Sequence, residues 1–342
     1  MQRVQAIDDV FQSVERVYLD VSYRRNVLLH ISRPSDKVKV WHLNFFLHFW
    51  LIMFLGLKGK CLYVHSVYKA QFILPLYFLR PVFTEMHGIV PEELASCGSK
   101  IGTWFFDIIE ACAVARSYAL ITVTRAMAEH LRKKHRLSNI KTYVFPNMRC
   151  GESQTVRSVS ASDDVYTIIY AGGTDHWQNA DMMLDVIGKL KEKFKFIILT
   201  GDPEWFRTRF RDKGLEGKVE LLSVSRSEVE DYYARADFGF LLRNDHPVNR
   251  VACPTKLTEY LSAGVLPIVI QPNIGDFAAY GCSYLLLDDL LAMKLPDVEG
   301  LERMREANRA VIRKMESDSV STMEDLRAEV LGICQPKTKS IH

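Results

Sequence analysis

Apolar positions along the chain gather into short continuous runs that alternate with segments of helical period, and the alternation occurs twice. In the first series the runs at Cys61–Val67, Val82–Met86, Ala119–Val123 and Lys141–Phe145 read as strands, with helices over about 103–116 and 126–135 and a less regular segment at 72–79. The second series has strands at Tyr166–Tyr170, Phe196–Thr200, Val219–Leu222, Phe238–Leu242 and Leu266–Ile270. Its helices lie near 180–193, 204–211, 227–236 and 254–263. Strands alternating with helices predict parallel sheets joined by crossovers. The polar, Ser-rich stretch up to residue 164 reads as a linker. The domains expected are therefore 1–150, a linker at 151–164, a second Rossmann-like domain over 165–300 and a charged helical tail over 301–342. Residues 3–15 read as a helix, Arg16–Ser22 as a strand, and Arg24, Arg25 and Asn26 as a turn. A doubly wound sheet would place a strand and a glycine turn before that first helix, and neither is present.

Trp41–Leu57 is the most apolar stretch, interrupted by Asn44 and His48. It falls short of the roughly 20 residues of a membrane span. A helix so apolar on all sides is either packed within the protein or dipped into a lipid interface, and burial is the expectation.

Charge is unevenly divided. Residues 1–150 carry 20 Lys and Arg against 11 Asp and Glu, the remainder 24 against 30, for a net +3. A basic first half suits an anionic membrane surface or a phosphorylated substrate. Nucleic acid ranks last, because aromatic RNA-binding signatures, zinc fingers and long basic runs are missing. Seven cysteines without metal-ligand spacing fit reduced thiols and no metal site. The N-terminus lacks a basic-then-apolar leader, so the expected location is the cytoplasm.

The chemistry gathers at strand ends. Ligands of open parallel sheets collect at the carboxyl ends of the strands, which singles out Gly172-Gly173, Thr200-Gly201, Arg243 and the helix that starts after Pro254. Lys256 in that helix's first turn opposes the helix dipole at a cost of about 0.3–1 kcal/mol. With first-turn amides it makes an anion site, so a bound phosphate explains it, with Glu259 one turn on to accept hydrogen bonds from sugar hydroxyls. The bland alternative is an exposed pair of opposite charges at i,i+3. Leu257 and Leu261 form a separate core-facing stripe. In the first half the same rule picks out His65, His87 and Asn147; His87 reads either as a group aimed at substrate or as a hydrogen-bonded loop histidine. Glu92 and Glu93 read as helix-start acids, and Cys253 as an inert small residue.

The run Pro254-Thr-Lys-Leu-Thr-Glu-Tyr-Leu-Ser-Ala-Gly-Val-Leu-Pro267 resembles the donor-site signature of family-4 retaining glycosyltransferases, in the variant Pro-x-Lys-x-x-Glu-Tyr. Tyr170-Ala-Gly-Gly173, Met86-His-Gly88 and the stretch from Ala119 to Leu131, followed by Phe145-Pro-Asn147, are similar to that family in order and spacing. The resemblance spans about residues 60–270 and implies the GT-B fold, with two facing Rossmann-like α/β domains and a C-terminal helix. It further implies a nucleotide diphosphate-sugar donor and a saccharide acceptor. Lys256 and the amides near Thr255 and Leu257 would hold the diphosphate, and Gly172, Gly173, Thr200, Gly201 and Arg243 would line the donor site. Glu259 would hold the ribose, and His87 would sit against the transferred sugar. No cofactor or metal is implied. The commoner family pattern has a further Glu eight positions before Glu259, where this chain has Val251, which leaves Asp245 or Asn249 to contact sugar hydroxyls.

The expectation is a hexosyltransferase acting in cell-surface polysaccharide synthesis, with a lipid-linked acceptor at the cytoplasmic face of a membrane suggested by the basic, apolar first half. The alternatives are a nucleotide-sugar epimerase on the same frame and a non-catalytic subunit partnering another transferase.

Overall fold

The computed structural model describes residues 7–148 and 165–335. The expected linker at 151–164 lies outside the described residues. The chain divides into two compact units, Met1–Pro146 with Asp318–His342, and Asn147–Ser317.

The first unit holds two sheets. Strands β1 (Arg16–Ser22), β2 (His30–Ser35) and β3 (Val38–Asn44) form a mixed sheet in the order β1-β3-β2, β1 parallel and β2 antiparallel to β3. Strands β4 (Leu62–Val64), β5 (Val82–Met86), β6 (Ala119–Thr122) and β7 (Lys141–Val144) form a separate parallel sheet in sequence order. The first strand of the sequence therefore never joins this parallel sheet, which starts at Leu62. Strands β5 and β6 are buried along their whole length, as parallel strands covered on both faces are. One core packs Phe83, Ile121 and Tyr143 against Ile7, Phe11, Met323 and Leu326, so the end of the C-terminal helix covers this sheet.

The stretch at 41–57 departs from expectation. It is the end of β3, a turn, and a helix over Phe49–Lys58. The two polar interruptions make the turn. Asn44 is buried; its Oδ1 accepts from the amides of Phe46 and Leu47 at 3.1 and 3.3 Å, and its own amide donates to His48 Nδ1 at 3.0 Å. Only Ile52, Met53 and Gly56 of the helix are buried, while Trp50 is 82% exposed. Hydrophobicity on every side hid which side packs.

The second unit is one parallel sheet of β8 (Thr167–Ala171), β9 (Lys195–Leu199), β10 (Glu220–Leu222), β11 (Phe238–Leu241), β12 (Leu266–Val269) and β13 (Leu285–Leu286). Its order is β10-β9-β8-β11-β12-β13, which reverses direction between β8 and β11. Helix Thr255–Ala263 ends where Gly264 takes φ 75° and its amide returns to Leu261 O, and β12 follows within two residues. Helix Val298–Cys334 starts in this unit and ends in the first. Its Arg305 donates to Asp237 Oδ1 at 3.0 Å, and Asp237 Oδ2 accepts from the amide of Thr167 at 2.9 Å, a buried tie between helix and sheet.

Candidate functional site

A parallel sheet whose order reverses leaves a crevice at the carboxyl ends of the two strands flanking the reversal. Here those strands are β8 and β11, whose ends deliver Gly172 and Arg243. Helix Thr255–Ala263 brings Lys256 to the same place. A β-carbon built on Gly172 would stand 2.8 Å from Lys256 Nζ and 3.1 Å from the Tyr170 hydroxyl. The lysine ammonium lies 3.7 Å from the Tyr170 ring centroid and donates to Gln178 Oε1 at 3.1 Å. The Tyr170 hydroxyl in turn donates to Gly173 O at 2.5 Å, fixing the ring beneath the cation.

Burial and the neighbouring Arg243 charge push the Lys256 ammonium well below its ordinary pKa, with Glu259 working weakly against them. Burial also lowers Arg243, whose Nη1 donates to the buried Asn249 Oδ1 at 3.2 Å while its enclosed Nε has no hydrogen-bond partner among the described residues. Asn249 is itself held through Nδ2 to Asn244 O at 2.9 Å. Two partly buried cations repel each other here, held by neutral amides. A site of this kind is completed by an anion. The helix start adds to it: Pro254 precedes the first turn, no acid lies in that turn, and the two amides that open a helix, here those of Thr255 and Lys256, have no carbonyl one turn back to bond.

Lys256 and Glu259 do not pair with each other. Glu259 turns the other way, to Arg226 Nη2 at 3.2 Å and the Tyr233 hydroxyl at 3.1 Å. Tyr233 is buried, so its hydroxyl holds one carboxylate oxygen in a fixed direction, while the exposed Arg226 is free to swing away. Thr255 stands at the helix start, its carbonyl accepting from Thr258 Oγ1 at 2.8 Å. Leu257 is wholly buried and its amide donates to Pro254 O at 2.9 Å, so it faces the core and not the crevice. Thr200 is buried at the end of β9, its hydroxyl accepting from the amide of Asp202 at 3.1 Å, and Gly201 beside it is open to solvent. Asp245 is taken up by a two-pronged pair with Arg250 at 2.5 and 2.6 Å. Val251 and Cys253 are buried.

In the first unit, Glu85 at the end of β5 is completely buried, with its Oε2 3.0 Å from His65 Nδ1 and 3.6 Å from His87 Nε2. The two histidines picked out at strand ends therefore share one carboxylate. Gly88 beside them leaves room for the Glu93 carboxylate, which a β-carbon there would displace. Glu92 pairs with His130 at 3.1 Å and Lys134 at 3.0 Å besides opening its helix. Among the described residues no cluster of three or more His, Cys, Asp or Glu has the arrangement to hold a metal ion.

Gln178, Arg226 and Tyr233 escaped the sequence reading, which named Asn249 only for sugar hydroxyls and Tyr170 only as the opening of the Tyr170-Ala-Gly-Gly173 motif. Tyr170 carries the one available signal, a polar-tipped ring directly before Ala-Gly-Gly at a strand end. Gln178 is 78 positions from Lys256, and nothing local announces their contact.

No known family pattern matches the chain, and no curated protein matches it by sequence. Solved structures do. Sucrose-phosphate synthase from Thermosynechococcus elongatus superposes with a TM-score of 0.73 at 10% identity, covering 96% of this chain and 93% of that one. Anabaena HepE in complex with UDP-glucose gives 0.64 at 13% identity, covering 92% and 98%. The E. coli trehalose-6-phosphate structure bound with UDP-2-fluoro glucose gives 0.66 at 10% identity, covering 96% and 95%. The fold is the GT-B fold, with parallel α/β sheets in both units and a C-terminal helix.

Proposed function

We propose that the chain is a glycosyltransferase that moves a hexosyl group from a nucleoside diphosphate donor to a saccharide acceptor with retention of anomeric configuration. The observation that carries this reading is the meeting of Lys256 and Arg243 at the strand-order reversal, with neither cation paired to a carboxylate among the described residues and with Gly172 leaving room for the lysine. The GT-B fold, and the UDP-sugars named for two of its structural neighbours, support the same reading.

In this reading the donor diphosphate replaces Gln178 as the partner of Lys256 and offsets the neighbouring Arg243 charge. Charge develops on the diphosphate as its bond to the sugar C1 breaks, and two cations fixed in a partly desolvated crevice stabilise that charge without reorganising. The acceptor oxygen bonds to C1 from the same face, and the departing phosphate takes its proton. Glu259, steadied by Tyr233, accepts from ribose hydroxyls once Arg226 moves aside. His87, held toward Glu85, contacts the donor sugar. A lipid-linked acceptor, a role in cell-surface polysaccharide and work at a cytoplasmic membrane face belong to the same proposal, supported by the excess of Lys and Arg in residues 1–150.

Thermal melting with UDP, GDP, ADP and CMP, on wild type and Glu259→Ala, tests it. A ligand at a hundred times its dissociation constant adds about 2.7 kcal/mol, a shift of several degrees. One nucleoside diphosphate is expected to raise the wild-type Tm and to lose that effect in the variant. No shift with any nucleotide favours the non-catalytic subunit instead.

A further inference from the structure

The first unit carries a surface at odds with water. Helix Phe49–Lys58 buries Ile52, Met53 and Gly56 and leaves Trp50, Phe54 and Leu57, one stripe at i, i+4 and i+7, exposed. Phe46 and Leu47 in the preceding turn extend it. A second stripe lies on helix Lys100–Arg116, where Ile101, Trp104, Phe105 and Ile108 are exposed at helical spacing. Both helices pack against Leu74–Phe78, whose exposed Phe78 carries the Arg116 guanidinium 4.7 Å from its ring. Apolar residues scattered singly need no explanation, but stripes bordering one segment do.

The charge around the first stripe is one-sided. Between Asp36 and Glu85 the chain has no acidic residue and six cations, Lys37, Lys39, Lys58, Lys60, Lys69 and Arg80. Lys58 lies over the Phe54 ring at 4.5 Å, at the edge of the first stripe. The exposed acid beside the second stripe, Asp107, lies 2.9 Å from Lys134, a lysine it shares with Glu92 and Glu110. Protein interfaces are poor in lysine, whereas aromatic side chains flanked by lysines and arginines match the boundary of an anionic bilayer. No helix among the described residues is long and apolar enough to cross a membrane, and a ten-residue helix spans about 15 Å. The fit is to the plane of the interface.

We infer that this face docks on an anionic lipid surface, with Trp50 and Phe54 entering the headgroup boundary and the surrounding lysines pairing with lipid phosphates. This names the physical partner implied by a membrane-bound acceptor and rests on that part of the proposed function. It needs no donor to be bound, so the two readings fail separately.

Sedimentation with vesicles of phosphatidylcholine, with and without phosphatidylglycerol, tests it on wild type, on Trp50→Ser/Phe54→Ser and on Lys58→Glu/Lys60→Glu. At an ionic strength of about 0.01 M the wild type is expected to bind the anionic vesicles and to release them at about 1 M, where charges are screened within roughly 3 Å. Either double variant should bind about tenfold more weakly or worse. Both should keep the wild-type far-UV spectrum and the wild-type response to nucleotides, because all four side chains are exposed or at a surface edge. Absence of binding at low salt overturns the inference. So does binding unchanged in the Trp50/Phe54 variant, or a wild-type dimer that this variant turns into a monomer, which would assign the face to a second copy of the chain.

Discussion

Lys256 places its ammonium 3.7 Å from the ring centroid of Tyr170, with a carboxamide and not a carboxylate as its hydrogen-bond partner. An ammonium held this way is poorly solvated, and burial followed by the Arg243 charge lowers its pKa from the ordinary 10.5. The proposed donor diphosphate would offset that cost.

Lys256→Met should therefore raise the Tm of the unliganded protein while removing the response to nucleoside diphosphates. The gain is about 1 kcal/mol, near 2 °C for a chain of this size. The sign follows from proton linkage. With the folded pKa below the unfolded one, the folded state holds fewer protons between the two values, so wild-type stability rises with pH there. The advantage of the variant is full below the folded pKa and shrinks as the pH rises from there toward 10.5. Melting curves across pH read this out, and a variant that melts below wild type at neutral pH would mean that the lysine is there for structure.

Gly172→Ala should leave the fold intact, within about 1 kcal/mol, because residue 172 has no left-handed backbone to strain. The new methyl would stand 2.8 Å from Lys256 Nζ, so the flexible lysine must move. Displacing a charge that meets the diphosphate is expected to weaken nucleotide binding about tenfold or more. Gly173→Ala is the contrast, since its β-carbon meets only Asp175 Oδ2 at 3.7 Å. Titration calorimetry on both separates room for the lysine from close approach of backbone to phosphate: equal losses would favour the latter.

Glu92 governs part of the acid sensitivity. Burial works against its ionisation, but hydrogen bonds from His130 and Lys134 and the lysine charge outweigh it and hold the carboxyl down at about 2. Its folded pKa lies below the ordinary 4.5, so the stabilisation is full above that value and is lost as the pH falls from about 4.5 toward 2. Glu92→Gln should cost about 1–2 kcal/mol at neutral pH, after allowance for screening, and flatten the decline over that window. Urea unfolding at pH 7 and pH 3 checks it; an unaltered difference between the two would remove Glu92 from the account.

The alternation of strand and helix was legible because each element reports its own burial. Ala119–Thr122 and Phe238–Leu241 are buried along their whole length and read as nearly continuous apolar runs, while Val82–Met86, equally buried, carries Thr84 and Glu85 within it. Pro254 and Gly264 marked the two ends of the Lys256 helix through local backbone chemistry. Where a segment is apolar throughout, as at 41–57, the pattern carries no phase, and the break at Asn44 is decided by hydrogen bonds to the backbone of Tyr23, Arg25, Phe46 and Leu47. The hairpin strands β2 and β3 were missed for a related reason: they lie in a small half-exposed sheet where polar and apolar residues do not alternate cleanly.

The sequence by itself determined the parallel α/β architecture of both units, the helix that begins after Pro254, and the misplaced cation at Lys256, because propensity, capping and dipole effects act over a few residues. Only the tertiary structure decided that β8 lies beside β11, that Gly172 is small to admit Lys256, that Gln178 and Asn249 hold the two cations, and that Glu259 turns away to Tyr233 and Arg226. Those contacts join residues from 6 to 84 positions apart. Strand order and side-chain direction fix them, and both are set by how whole elements pack against one another, which no local stretch of chain encodes.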